Sequence, residues 1–249
     1  MQTANIRNLF YLSDRKIALL LCALGFMLST TTHAQRYNDG SYNFREFDQK
    51  SYYFGITLGY NSSSFKPFRS SEFIRSDSIL AIQSINGPGF NLGIVSNLKI
   101  GQHFDLRFLP TLSFAERNIR YEKDARNIFF SERKVESVFV ELPFHFRYKS
   151  APYKDIRLFV IAGVKYAFDV ASESRARQAE SLVRIAPNDF SIETGAGIQF
   201  FFPYFIFSPE FKISQGIGNI LIYNPRLEES TVLEKILSRT FTLSLHFEG

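Results

Sequence analysis

The sequence contains little cysteine and no second long apolar segment, and it shows none of the common catalytic or cofactor motifs. Its 249 residues include one cysteine, Cys22, and no tryptophan. A single cysteine excludes an intramolecular disulfide framework. No metal-ligand spacing, phosphate loop or glycine-rich cofactor fingerprint appears. After residue 34, no stretch approaches the roughly twenty apolar residues of a transmembrane helix. We therefore expect no cofactor, no metal and no helical membrane anchor in the mature chain.

The first 34 residues have the pattern of a secretory signal peptide. Three basic residues precede a short apolar run from Ile17 to Leu28, and small residues ending at Ala34 follow it. This run is too short to cross about 30 Å of hydrocarbon as a helix, so cleavage is favoured over a retained anchor. We predict a signal peptide over 1–34, a periplasmic N-terminal arm over 35–51 and a folded domain over 52–249.

The charge is mildly positive. The chain has 29 Lys and Arg against 24 Asp and Glu, and the leader holds three and one of these. The remainder therefore carries 26 and 23, a formal charge of +3. Neither a basic helix nor a patterned basic patch accompanies this charge, so we expect no nucleic-acid partner.

Eight segments after residue 51 alternate bulky apolar residues with small, polar or charged ones. A two-residue period is typical of strands with two different faces. The first segment places Tyr52 and Phe54 on one face, and Thr57 and Asn61 on the other. The eight predicted strands are 52–61, 89–100, 104–115, 135–149, 157–169, 190–200, 204–214 and 239–247.

The connections between these segments alternate in length. The short ones are 101–103, 150–155 and 201–203, and the long ones are 62–88, 116–134, 170–189 and 215–238. Short turns on one side and long loops on the other are typical of the periplasmic and extracellular ends of outer-membrane barrels. We predict an all-β fold: an eight-stranded antiparallel transmembrane β-barrel with four long extracellular loops.

The size of the apolar face decides which side meets lipid. An eight-stranded barrel has an interior just wide enough to be filled by side chains. The many Phe, Leu and Tyr residues of the apolar face would not fit there, which argues against a soluble, lipocalin-like barrel. We predict that the apolar face meets lipid and that the charged face lines the lumen. The expected location is the cell outer membrane, with membrane lipid and lipopolysaccharide as partners.

The inward-facing charges suggest an ion-pair network. If the short turns are symmetric, residues of opposite sign face each other about 5 Å apart. A buried charge without a partner costs several kcal/mol, so pairing is required. The predicted lumen ion pairs are Lys99 with Asp105, Glu141 with Lys165, and Glu193 with Lys212.

Two loops also offer candidate contacts. In the fourth, Ser230 can cap a helix whose apolar residues recur at helical spacing: Val232, Leu233, Ile236 and Leu237. Such a helix would either fold over the barrel mouth or dock another protein. The second loop is basic and suits lipopolysaccharide phosphates or plain solvation; its cations are Arg117, Arg120, Lys123, Arg126, Arg133 and Lys134.

Catalysis is the other class of function to weigh. Ser244 and His246 lie two residues apart on one face, and some eight-stranded barrels are lipid-modifying hydrolases. A nucleophile needs a base within hydrogen-bond reach and a third group to orient that base. A hydroxyl and an imidazole that merely fill the lumen are the simpler interpretation, so we predict no catalytic residues.

Several segments resemble the PorT family. They include FGITLGYN (54–61), GFNLGIVSNLKIGQHFDLRFLPTLSFAERNI (89–119), VFVELPFHFRY (138–148), FVIAGVKYAFDV (159–170), GAGIQFFFPYFIFSPEFKIS (195–214) and FTLSLHFEG (241–249). The resemblance implies a Bacteroidetes outer-membrane barrel that is required for type IX protein secretion and, in gliding species, for gliding motility. It implies other secretion-system proteins as partners and carries over no catalytic residue. A lipid-modifying hydrolase and a loop-based surface adhesin or ligand-binding barrel are the alternatives.

Overall fold

The computed structural model describes residues 43, 47–74, 79–123, 129–170, 184–225 and 227–249. The predicted signal peptide and most of the predicted arm lie outside these residues. Among the described residues, no helix has the length and apolar character needed to cross a membrane.

Strands dominate the described chain. They are β1 (Tyr52–Arg69), β2 (Ile79–Ile100), β3 (Phe104–Phe108), β4 (Thr111–Lys123), β5 (Phe129–Lys149), β6 (Ile156–Asp169), β7 (Arg184–Ile185), β8 (Asn188–Phe201), β9 (Ile206–Gly216), β10 (Leu221–Ile222) and β11 (Leu233–Glu248). A 3₁₀ turn spans Ser71–Ile74, and a four-residue helix, α1, spans Glu228–Thr231.

The long strands close into a ring. Each pairs antiparallel with its neighbours, and β1 pairs with both β2 and β11. β3 and β4 together form one barrel strand between β2 and β5, interrupted at Leu109 and Pro110. Proline has no N–H to donate to the ladder, which accounts for a break at this point. The predicted fold class, an eight-stranded antiparallel barrel, is confirmed.

The two faces of the barrel point as predicted. Phe54 on the outer face is 57% exposed, whereas Asn61, Asp105 and His145 on the inner face are fully buried. On β1 the outward apolar column begins at Tyr52 and ends at Tyr60, as expected of aromatic girdles at the two membrane interfaces. The apolar side chains therefore meet lipid, and the polar ones fill the lumen.

The predicted bounds of the first, second and fourth extracellular loops are wrong, and most of the third, 170–189, lies outside the described residues. β1 continues to Arg69, β2 begins at Ile79, β4 reaches Lys123, β5 begins at Phe129 and β11 begins at Leu233. These five strands form an extended wall beyond the membrane. There the outer face carries polar and charged residues and the inner face is apolar, so the contrast that identified the membrane strands is reversed.

An apolar cluster, here called the extracellular cap, fills the space inside this wall. Residues 220–221 pack against its inner face, and the Ile220 N–H donates to the Ile236 carbonyl (3.0 Å). A short β7–β10 ladder lies beside them. The buried residues of the cap are Phe65, Ile79, Ile82, Ile119, Tyr121, Ile220, Leu221, Val232, Leu233 and Ile236.

The predicted docking helix over Val232, Leu233, Ile236 and Leu237 is also wrong. α1 ends at Thr231, and β11 begins two residues later. Pairing with β1 overrides the helical spacing, since Ile236 lies opposite Pro67 and is fully buried in the cap. Ser230 Oγ accepts a hydrogen bond from the Asn224 N–H (2.9 Å). Val232, Leu233 and Ile236 are buried in the extracellular cap, whereas Leu237 is half-buried at an outward position opposite Lys66.

Candidate functional site: the charged lumen

The lumen between the two membrane interfaces is lined by charged side chains at alternate strand positions. Seven of the barrel strands contribute, because every second residue of each strand points inward. Most of these groups are inaccessible to solvent. The residues that form the network described below are Tyr53, Asp105, Arg107, Glu141, His145, Arg147, Lys149, Lys165, Glu193, Glu210, Lys212, His246 and Glu248.

At the periplasmic end, Asp105 and Arg147 form the centre of one cluster. The Arg147 guanidinium donates to the Asp105 carboxylate and to the Tyr53 hydroxyl. The Lys149 ammonium donates to the other Asp105 oxygen (2.5 Å). Glu248 lies 3.7 Å from Arg147 and adds a second carboxylate. Two cations and two anions therefore meet within one layer of the lumen.

Arg107 crosses the lumen. It projects from β3, and its two terminal nitrogens donate to carboxylates on the opposite wall: Nη1 to Glu210 on β9 (2.8 Å) and Nη2 to Glu248 on β11 (2.7 Å). All three side chains are fully buried. Charge-assisted hydrogen bonds of this length are among the strongest that side chains make. They join the two halves of the barrel at its centre.

Glu193 on β8 is the hub of a second cluster. It accepts a hydrogen bond from His145 (2.6 Å) and lies 3.4 Å from Lys165 and 3.3 Å from Lys212. Lys165 also donates to Glu141 (2.9 Å). Glu193 and Glu141 together balance the two ammonium groups, which satisfies the requirement that buried charges be paired.

The structure brings together two of the three predicted pairs. Glu141 contacts Lys165 and Glu193 contacts Lys212, although neither pair is directly opposed. Glu141 lies opposite Ala167 and Glu193 opposite Ser214, so the predicted register was off by two residues. Long side chains span this offset.

The third predicted pair is aligned but does not form an ion pair. Lys99 and Asp105 are register partners. The Lys99 ammonium instead donates to the Phe47 carbonyl, while Asp105 binds Arg147 and Lys149. Asp105 is opposite Arg147 on its other side, and a guanidinium can give a carboxylate two hydrogen bonds.

Arg107, Arg147, Glu210 and Glu248 are among the network members that were not predicted from the sequence. Alternation already placed the first three on the inner face, and continuing the pattern of β11 beyond His246 would have included Glu248. Their partners could not be found by adding residue numbers across a turn. Arg107, for example, contacts strands that are distant both in the chain and around the ring.

Ser244 and His246 do not form a catalytic arrangement. Both are buried in the lumen. The His246 Nε2 atom faces Glu210 at 3.5 Å, and within the part of the chain that the structure describes no hydrogen bond joins it to Ser244. The same described residues contain no cluster of three or more His, Cys, Asp or Glu with metal-binding geometry.

Known proteins with the same architecture are similar to this chain. The family model described as "Outer membrane protein beta-barrel domain" matches residues 34–221. Ail, the attachment invasion locus protein of Yersinia pestis, is 15% identical and has a TM-score of 0.36, with 80% of this chain and 100% of Ail covered. OprG from Pseudomonas aeruginosa is 11% identical and has a TM-score of 0.42, with 80% of this chain and 95% of OprG covered. Neisserial surface protein A is 8% identical and also has a TM-score of 0.42, with 80% of this chain and 97% of that protein covered.

No curated protein sequence matches the chain. The family model covers most of it, and the closed ring of strands with apolar residues outside and charges inside agrees with that match. The chain therefore belongs to the outer membrane protein β-barrel domain family and resides in the cell outer membrane.

Proposed function

We propose that this barrel supports type IX protein secretion as a non-enzymatic component, in assembly or beside the translocon. The observation that carries the proposal is the filled lumen. The Arg107 bridge crosses the lumen, and the buried ion pairs around Glu193 fill the side lined by β5, β6, β8 and β9, which leaves no route for a polypeptide through the barrel itself. A role in secretion would then depend on its outer surfaces and its two rims. The resemblance of the strands and turns to PorT indicates which secretion system it serves.

The periplasmic rim supports a role in partner binding. Phe47, from the predicted arm, is 3% exposed and packs against Phe201 and Ile206. The Asn43 amide donates to the Phe201 carbonyl (3.2 Å). Asn43 and Phe47 are thus held against the rim close to the β8–β9 turn. We propose that the segment before Phe47 presents a binding surface to another secretion protein after the leader, residues 1–34, is removed.

Deletion of the gene tests the secretion role. The amount of cargo with the type IX C-terminal signal should decrease in the medium and increase in the cells. The wild-type gene should restore export. A Phe47→Ala gene should restore less export than the wild type at equal barrel abundance in the outer membrane. Unchanged export of this cargo in the deletion strain would refute the proposed function.

A surface adhesin or ligand-binding barrel is the second candidate. The extended wall and its apolar cap support this function, because they form an ordered structure beyond the membrane on which loops can be displayed. Loss of cell adhesion with unchanged cargo export in the deletion strain would favour it. A lipid-modifying hydrolase would instead require an altered lipid A mass in a Ser244→Ala strain.

A further inference from the structure

One outward face above the membrane carries three cations. On β1 and β11, the outward residues beyond the apolar band include Lys66, Lys235 and Arg239. Lys66 lies opposite Leu237, Lys235 opposite Phe68, and Arg239 opposite Ser64, so they share one continuous surface. We call Lys66, Lys235 and Arg239 the basic face.

The two lysines are held in place by an aromatic ring. The Lys66 ammonium lies 5.4 Å and the Lys235 ammonium 4.4 Å from the centroid of the Phe68 ring. These are cation–π distances, which favour a defined position for each charge. In the described part of the chain, neither ammonium lies within ion-pair distance of a carboxylate.

Arg239 is positioned differently. Its Nε donates to the Gln215 amide oxygen (3.2 Å), a neutral partner, and no carboxylate of the described ranges forms an ion pair with it. The exposed carboxylate of Glu234 is next in sequence to Lys235, at a bulge of β11 where Leu233 and Lys235 pair with the consecutive residues Arg69 and Phe68. The three cations of the basic face outnumber this one exposed carboxylate, so the face is net positive.

The height of the basic face identifies what it meets. Arg239 is two residues beyond Phe241 on β11, and Lys66 is six residues beyond Tyr60 on β1. With a rise of about 3.3 Å per residue and a strand tilt near 40°, these cations lie roughly 5 to 15 Å above the apolar band. This is the layer of the outer-leaflet headgroups, beside the barrel.

The wall formed by β4 and β5 has mixed charge at the corresponding outward positions. Glu116 lies opposite Glu136, the Asn118 amide donates to Glu116 (3.0 Å), and Arg120 follows four residues further along β4. Among the described residues, the basic face on β1 and β11 therefore differs from this wall.

We propose that the basic face is a binding site for the phosphate groups of an outer-leaflet lipid headgroup, such as those of lipopolysaccharide. The headgroup would lie against the β1–β11 wall with its acyl chains beside the apolar residues below. This inference is independent of the secretion role. It also differs from the basic loop anticipated from the sequence, since Lys66, Lys235 and Arg239 are not in that loop.

The test compares two charge-matched double variants of the full-length mature protein in detergent. Lys66→Gln with Lys235→Gln removes two ammonium groups held over a ring. The control, Lys50→Gln with Lys154→Gln, also removes two, which lie 5.0 and 5.8 Å from the Phe47 and Tyr153 ring centroids at the periplasmic end. Binding of bisphosphorylated lipid A, of dephosphorylated lipid A and of soluble pyrophosphate is measured for each protein.

A basic residue near an anionic lipid surface contributes about a fivefold change in affinity, so the first variant should bind bisphosphorylated lipid A roughly 30-fold more weakly than wild type. The control should bind it as wild type does, and dephosphorylated lipid A should not distinguish the three proteins. Arg239→Gln alone should weaken binding about fivefold. Equal affinity of the two double variants for bisphosphorylated lipid A would overturn the proposal. Equally tight binding of soluble pyrophosphate would show a free-anion site instead, and selective loss of an acidic protein partner with unchanged lipid binding would show a protein-docking face.

Discussion

Replacing Arg107 with methionine removes the guanidinium that joins Glu210 to Glu248 across the lumen. Among the described residues, Glu210 would then form an ion pair only with His246, at 3.5 Å, and Glu248 only with Arg147, at 3.7 Å. All of these side chains are buried. Removing one partner of a buried ion pair costs about 3–5 kcal/mol, because the remaining charge stays in a poorly solvated site. We expect Arg107→Met to lower the free energy of unfolding by about that amount.

The measurement is equilibrium unfolding of the refolded barrel in lipid vesicles with urea or guanidinium chloride. The chain has no tryptophan, so far-UV circular dichroism and the electrophoretic mobility of unheated samples report the folded fraction. An Arg107→Lys protein should lie between wild type and Arg107→Met, since one ammonium lacks the planar fork that reaches two carboxylates at once.

A triple variant distinguishes the loss of the ion pairs from the cost of leaving buried carboxylates without a partner. Arg107→Met combined with Glu210→Gln and Glu248→Gln removes the bridge together with both carboxylates. It should recover most of the stability lost by Arg107→Met, because replacing a whole buried ion cluster with neutral groups is often close to neutral. A single-variant loss below about 1 kcal/mol, or a triple variant no more stable than the single one, would show that these groups are solvated and that the reasoning is wrong.

Three further outcomes follow from the structure. A Cβ added to Gly163 would lie 2.0 Å from the Phe144 carbonyl oxygen. Gly163→Ala should therefore lower the unfolding free energy by about 1–3 kcal/mol. Gly218→Ala is the control, because a Cβ there would have no atom within 4 Å, and it should leave the unfolding free energy unchanged. Ile236→Asp should open the extracellular cap and let added protease cleave the extracellular strands on intact cells, while the exposed Glu234→Gln should leave them as resistant as wild type; equal resistance in both would contradict a buried cap. The wild-type barrel should give no conductance steps in planar bilayers, and steady steps would contradict a closed lumen.

The sequence was most informative where the chain crosses the membrane. Lipid outside and a charged lumen inside impose opposite demands on successive residues, so alternation from Tyr52 to Asn61 identified the strand and both of its faces. Beyond the outer interface the demands change. Phe65 points inward to the cap and Lys66 outward to the headgroup layer. The continuation of β1 beyond Asn61 was therefore not predicted.

The prediction of a helix in the fourth loop was wrong for a related reason. Val232, Leu233, Ile236 and Leu237 fit the spacing of one helical face, but short apolar segments fit strand and helix templates equally well. The decision came from tertiary contacts, since β11 pairs with β1 as far as Leu233. Pairing partners far along the chain leave no local sequence signal.

The partners in the lumen network also lie far apart in the chain, so local sequence does not predict them. Their positions have a consequence for assembly of the barrel. Glu248 lies opposite Gly55 on β1 and Ile206 on β9, so it occupies the seam where the last strand closes the ring. From there it accepts a hydrogen bond from Arg107 and lies near Arg147, two cations contributed by earlier strands. Until β11 is in place, both guanidinium groups lack this carboxylate. Phe247 meets lipid and Glu248 meets the lumen, so the final two side chains of the strand complete the apolar band and the ion network together. Ring closure and charge compensation are therefore coupled, and a Glu248→Gln protein should insert with normal strand content but refold more slowly than wild type.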